Sequence, residues 1–256
     1  MEWTAIAVDI SPDGFATIAL NRPDRLNTLS IQLRQELDAA IEQLEADSNV
    51  HVLILTGRGK VFSAGMEITE WGEPGVSAKA YIHDAAASLA KFTGPVIGAI
   101  NGLALTGGLE LSLACDFLIA SEKARFADSH VQVGLLPGWG GSVRLARRIG
   151  IGRAMEMAMT ARFIEAEEAL AWGLVNHVVP ADELLPLAEK LARQMLANRI
   201  DGVRLYKRIL LEEQNLSFPD ALAYERNTSK NLSASVTLED LLGRLENLKG
   251  RGSAKK

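Results

Sequence analysis

The chain has 256 residues, 48% of them apolar and 23% charged, with a formal net charge of −5 and a single cysteine. That is enough chain to bury a sizeable core, which argues against a disordered or fibrous protein, and one cysteine excludes an internal disulfide framework. Mild acidity gives no long-range attraction to nucleic acid or to an anionic membrane, so neither is expected as a partner. No segment reaches the roughly 18 unbroken apolar residues of a spanning helix. The opening residues, MEWTAIAVDI, lack the basic stretch and apolar run of a secretory signal. A cytoplasmic location is the resulting expectation. Cys115 sits in the apolar run LSLACDFLIA, a setting for a buried, inert thiol, and no Cys/His cluster suggests a metal.

In chain order, EWTAIAVDI and FATIALNRP read as two strands joined by the turn Ser11-Pro12-Asp13-Gly14. The period then changes: Ser30 is placed to cap a helix whose apolar residues Leu33, Leu37, Ile41 and Leu44 recur every three or four positions. A short strand, VLILTG, leads into the glycine-interrupted loop KVFSAGMEITEW, and a helix is predicted from about Ser77 to Phe92. PVIGAINGLAL continues as strand into the helical TGGLELSLACD and the strand FLIA, the strand–helix alternation of α/β architectures. Beyond Gly138 the pattern turns mostly helical, and after Asp201 nothing strand-like remains. Residues 1–200 are therefore expected to form the core and 201–256 a helical appendage, with helices predicted at Gly202–Gln214, Pro219–Asn231 and Leu238–Leu248.

Two glycine-containing loops draw attention. In FSAGMEI the chain leaves a strand through Gly65, and the N–H of Met66 is a candidate free donor; in LALTGGLEL a helix starts at Gly107, whose N–H belongs to the unpaired first turn. Two such donors converging on one oxygen would make an oxyanion hole, whereas either loop taken alone is more often only tight backbone geometry. Glu110 follows Gly107 by about one helical turn and lies in apolar surroundings, where a carboxylate must be either paired or at work. A Walker loop, a dinucleotide-binding G-x-G-x-x-G after a strand and a G-x-S-x-G nucleophile elbow are all missing.

The run NRPDRLNTLS, GKVFSAGMEITE, PVIGAINGLALTGGLELSLACDFLIASEKARFADSH, VGLLPGWGGSVRLARRIG and EALAWGLVNHVVP resembles the crotonase, or enoyl-CoA hydratase/isomerase, superfamily from about residue 3 to about residue 180. This resemblance implies an α/β fold, a spiral of ββα units with C-terminal helices that build homotrimers, commonly paired into homohexamers. It implies acyl-CoA thioester substrates, no cofactor beyond the coenzyme A that the substrate carries, and an oxyanion hole formed by the amides of Met66 and Gly107. In hydratases of this family two glutamates hold a water for syn addition across the 2,3 double bond. The first falls on Glu110 and the second on His130, in the segment Asp128-Ser129-His130.

A histidine at that position leaves several chemistries open. Imidazole exchanges protons near neutral pH, so Glu110 and His130 together can still hydrate an enoyl-CoA. Glu110 as a lone base would make an isomerase. A C–C bond hydrolase using His130 would resemble relatives that carry an acid in the following P-G-x-G turn, where this chain has Trp139. A non-catalytic or RNA-binding homologue stands last, since the helix SIQLRQELDAAIEQLEAD is net acidic. Asp128 is expected chiefly to cap the backbone, and Trp139 to line the acyl pocket or simply pack. For coenzyme A, the resemblance points to Arg22 or Arg25 for phosphates and to Leu26, Ala64 and Ile68 around pantetheine and adenine. The ending GRLENLKGRG departs from the family's commoner one.

Overall fold

The computed structural model describes residues 3–72, 83–233, 235–239 and 241–245. Strands β1 (Ile6–Ile10) and β2 (Phe15–Leu20) form the expected hairpin, antiparallel from Ile6–Leu20 to Ile10–Ala16. Helix α1 (Ile31–Ala46) starts where Ser30 accepts a hydrogen bond from the Leu33 N–H at 3.1 Å, and it buries Leu33, Leu37, Ala40, Ile41 and Leu44. Its apolar stripe thus faces the core, as the period requires.

From there the chain repeats one motion. Strand β3 (Val52–Gly57) lies in a six-stranded sheet and β4 (Val61–Ser63) in a four-stranded one, before helix α2 (Ala85–Lys91). β5 (Val96–Ile100) and β6 (Leu103–Leu105) divide in the same way and precede α3 (Gly107–Leu113). β7 (Phe117–Ser121) and β8 (Arg125–Ala127) do so again before α4 (Gly141–Ile149) and α5 (Ile151–Thr160). Each ββα unit adds a parallel strand to both sheets, and this is the spiral. Strand β9 (Ile164–Glu165), helix α6 (Ala166–Trp172), strand β10 (His177–Val179) and helix α7 (Leu184–Leu196) complete this part. The two short strands interrupt a stretch expected to be helical, because two or three residues carry too little periodicity to register.

The larger sheet is covered on both faces. Alternate residues of β3 point opposite ways: Val52 and Ile54 pack with Leu184, Ala188 and Ala192 of α7, while Leu53 and Leu55 join the main core with Leu33 and Leu37 of α1. That explains why VLILTG is buried along its whole length, as a central parallel strand should be.

By compactness the chain divides into residues 1–200 and 201–256. In the second unit the structure describes helices α8 (Ile200–Glu213) and α9 (Phe218–Ser233), and the predicted helix at Leu238–Leu248 falls partly outside the described residues. The predicted helix from Ser77 begins outside them as well; α2 is its later part. Among the described residues no helix is long and apolar enough to cross a membrane.

Asn27 is a structural hub that pattern reading missed. It is fully buried at φ 51°, accepts the Arg22 N–H at 2.8 Å and donates to the carbonyls of Arg58 at 2.9 Å and Val61 at 2.7 Å. Asparagine tolerates the left-handed region, and its buried amide pairs with three backbone groups from two segments. Asn27→Ala is expected to lower the unfolding free energy by about 1–3 kcal/mol in urea titrations. A change within experimental error would show that this amide does not hold the loop on β4.

Candidate active site

The two glycine loops meet. Gly65 has φ 96°, and a Cβ built there would lie 3.4 Å from the Gly107 nitrogen and 2.1 Å from the Thr106 hydroxyl oxygen. Only glycine allows that approach. Met66 forms an isolated parallel bridge with Leu29, in which the Leu29 N–H donates to the Gly65 carbonyl at 2.8 Å and the neighbouring Met66 amide stays out of the bond. Opposite it, Thr106 adopts φ 47°, a strained turn that starts α3 with the Gly107 N–H unpaired by its position in the helix. Helix α3 can lie this close because Gly108 has no side chain: a Cβ there would stand 2.3 Å from the Ser63 carbonyl oxygen of β4.

Glu110, one turn into α3, is buried, and its carboxylate is fully engaged. Oε1 accepts the backbone N–H groups of Trp139 at 2.7 Å and Gly141 at 3.0 Å, while Oε2 faces Nε2 of His130 at 3.3 Å. Gly141 is the first residue of α4, so its amide is a first-turn donor without a helical partner. The Arg144 guanidinium fastens the same turn by donating to the Trp139 carbonyl at 2.6 Å. Trp139 therefore reaches the site through its main chain, whereas the indole is packed away, with the Arg34 guanidinium 5.8 Å from the ring centroid.

His130 opens a short 3-10 turn, His130–Val133, just after β8. Its Nδ1 lies 2.6 Å from Asp128 Oδ1, so the ring is held between two carboxylates, and Asp128, His130 and Glu110 are at most 7% exposed. With an acceptor at each ring nitrogen, both nitrogens are best served as N–H donors, the imidazolium form. Burial by itself pushes the imidazole down, but hydrogen bonds to Asp128 and Glu110, together with their charges, outweigh it and raise His130 from 6.5 to about 9. A protonated His130 thus stabilises the fold fully below the unfolded value of 6.5, and this contribution is lost as pH rises through about 9.

The residues expected around coenzyme A separate into two groups. Arg22 is turned inward: its guanidinium donates to the Thr28 carbonyl at 2.7 Å and to Glu67 at 3.2 Å, and Glu67 also accepts from the Thr28 hydroxyl at 2.8 Å. Through these contacts it braces the loop. Arg25 is exposed, as are Leu26 at 52% and Ile68 at 71%, and Ala64 is half-buried in the loop between them. Glu67 and Asn27 escaped sequence reasoning because polar residues in a loop carry no periodic signal.

Residues 11–249 match the enoyl-CoA hydratase/isomerase family. The chain belongs to that family. It is 35% identical over 252 residues to a probable peroxisomal enoyl-CoA hydratase of Arabidopsis thaliana, covering 98% of this chain and 95% of the relative. It is 39% identical over 215 residues to the short-chain-enoyl-CoA hydratase of Clostridium acetobutylicum, covering 82% of each. Among solved structures, the enoyl-CoA hydratase of Bacillus anthracis superposes with a TM-score of 0.89 at 35% identity over 96% of both chains. The crotonase fold inferred from the motifs is thus the fold observed, and the Glu110–His130–Asp128 chain is built on the frame of this family.

Nitrogen-15 NMR tests the charge state of that chain. Of the four histidines, the one whose signals vanish in His130→Gln is expected to have both ring nitrogens protonated at neutral pH and to titrate near 9. A midpoint near 6.5 would mean that the two carboxylates do not hold the proton.

Proposed function

We propose that the protein hydrates 2-enoyl-CoA thioesters to 3-hydroxyacyl-CoA, with Glu110 and His130 as its proton-transfer pair and the amides of Met66 and Gly107 as its oxyanion hole. One observation carries the proposal: a buried carboxylate, locked by two amides at one oxygen, shares its other oxygen with a histidine, directly beside the convergent Gly65–Met66 and Gly107 loops. Names borne by relatives at this level of identity point to the same reaction.

In this mechanism the thioester carbonyl oxygen lies against the two amides, and Glu110 removes a proton from water as the oxygen attacks Cβ. The electron pair of the double bond moves through Cα onto the thioester oxygen, where the amides favour charge that develops only on the way to the enolate. His130 then gives its Nε2 proton to Cα as the carbonyl reforms. Water has been added, Glu110 carries one proton and His130 has lost one. A direct return from Oε2 to Nε2, 3.3 Å apart, resets the pair. Hydration and dehydration use the same total number of protons, so both directions should share one pH dependence. Every proton comes from water, Glu110 or His130, and the only coenzyme required is the one that the substrate carries. Arg25, Leu26, Ala64 and Ile68 form the proposed wall for that coenzyme.

The imidazolium form favours hydration over C–C hydrolysis, because a ring with both nitrogens protonated cannot begin as a nucleophile or base. We place the reaction in the cytoplasm, on the use of a single, buried cysteine. We also infer self-association as a homotrimer or homohexamer, supported by the exposed apolar residues Ile151, Met155 and Met159 on α5.

With crotonyl-CoA and a longer 2-enoyl-CoA, the wild type is expected to bleach the absorbance of the conjugated thioester. Glu110→Gln, which keeps the acceptor for Trp139 and Gly141, should lower kcat by about 100- to 10,000-fold. A wild type inert toward both would overturn hydration and make 3-enoyl-CoA isomerisation the reaction to assay. Light scattering during gel filtration is expected to return a multiple of the 27.6 kDa chain, and a monomer would remove the inferred assembly.

A further inference from the structure

We propose that Asp128 is a positioning residue of the reaction: it grips His130 at Nδ1, so that only Nε2 faces Glu110, and supplies the negative charge that lets a histidine stand in for a second carboxylic acid. The inference rests on the roles given above to Glu110 and His130.

Asp128 follows β8 directly, and the Ala127 carbonyl accepts the Thr106 N–H at 3.1 Å, which ties this segment to the turn that starts α3. Its Oδ1 accepts from two groups of the same residue, the His130 N–H at 3.4 Å and the ring Nδ1 at 2.6 Å. The capping role expected of Asp128 is the weaker of the two, since the ring bond is much the shorter. On the other side of the ring, the 3.3 Å separation from Glu110 is long. His130 is therefore held firmly at Nδ1 and loosely at Nε2, as a group should be if its Nε2 proton is the one to move.

Glu110 with a protonated His130 alone would be neutral, and Asp128 leaves the cluster with one negative charge, since two carboxylates and one imidazolium sum to minus one. The charged groups acting on the ring are Asp128 from its own segment and Glu110 from α3; α5 also packs on this turn and contributes none. Once His130 has delivered its proton, Asp128 keeps the remaining one on Nδ1. The Nε2 lone pair then faces Glu110, ready to take the proton back.

Asp128→Asn is the discriminating variant, because its amide oxygen can still cap the turn and accept from Nδ1 while the charge is gone. The NMR midpoint of His130 is expected to fall by about one unit or more. The alkaline limb of kcat/KM for crotonyl-CoA should fall with it, while KM changes by less than about threefold. An unmoved midpoint overturns the proposal, and so does a limb that stays near the wild-type value while the midpoint falls. In the unaltered protein the Nδ1 proton is expected far downfield, and an unprotonated Nδ1 at neutral pH overturns the proposal without any variant. A wild type inert toward both 2-enoyl-CoA substrates, with a midpoint still lowered by Asp128→Asn, would sink the hydratase reading and leave the grip on the ring standing.

Discussion

The Glu110 carboxylate is the constraint around which the rest of the site is arranged. A buried carboxylate without partners would cost several kcal/mol, so the fold must bring donors to it. Those donors arrive from three places: Trp139 in the turn before α4, Gly141 at the start of that helix, and His130 in the 3-10 turn after β8. None is near Glu110 in sequence. Removing any one leaves a buried oxygen short of a donor. Stability and chemistry therefore draw on one set of contacts.

The spiral is what makes this convergence available. Each ββα unit places one strand in each sheet, so the ends of β4, β6 and β8 stack side by side although their sequence positions lie far apart. The Met66 loop, the Gly107 turn and Asp128 follow these three strands in that order. The smaller sheet thus sets the spacing between the Met66 and Gly107 loops and the Glu110–His130 pair, while the larger one packs between α1 and α7. Asn27, Ser63 and Gly108 then hold the first loop against the second: the Ser63 hydroxyl donates to the Asn27 carbonyl at 2.8 Å, and Gly108 lets α3 lie on the main chain of β4.

Between the two carboxylates, His130 is better described as part of a charged chain than as a lone titrating side chain. Its ordinary range would place it at the edge of protonation in neutral solution, and a ring that changed charge with small shifts of pH would make a poor acid. Asp128 and Glu110 remove that sensitivity by holding the proton on the ring until pH reaches about 9. The same two contacts keep the ring from acting as a nucleophile. The nearer of the two carboxylates comes from the ring's own turn, two residues away.

Much of this was legible in the residues alone. Periodicity was enough for the hairpin, for α1 with its Ser30 cap, and for the alternation of strand and helix, because each depends on contacts between near neighbours in the chain. The Met66 and Gly107 amides were also within reach, since a glycine where a strand ends or a helix begins marks a backbone group without a regular partner. Four things were decided by tertiary structure: the capture of Glu110 by the amides of Trp139 and Gly141, the inward turn of Arg22 onto Glu67, the hub at Asn27, and the ring contact that makes Asp128 more than a cap. The first three join residues 29 to 45 positions apart, or buried backbone groups that leave no trace in side-chain pattern. The last joins near neighbours, yet whether a side chain two residues away meets a ring or only a backbone amide depends on the turn between them. Sequence determines which groups need a partner; the fold decides which partner each one meets.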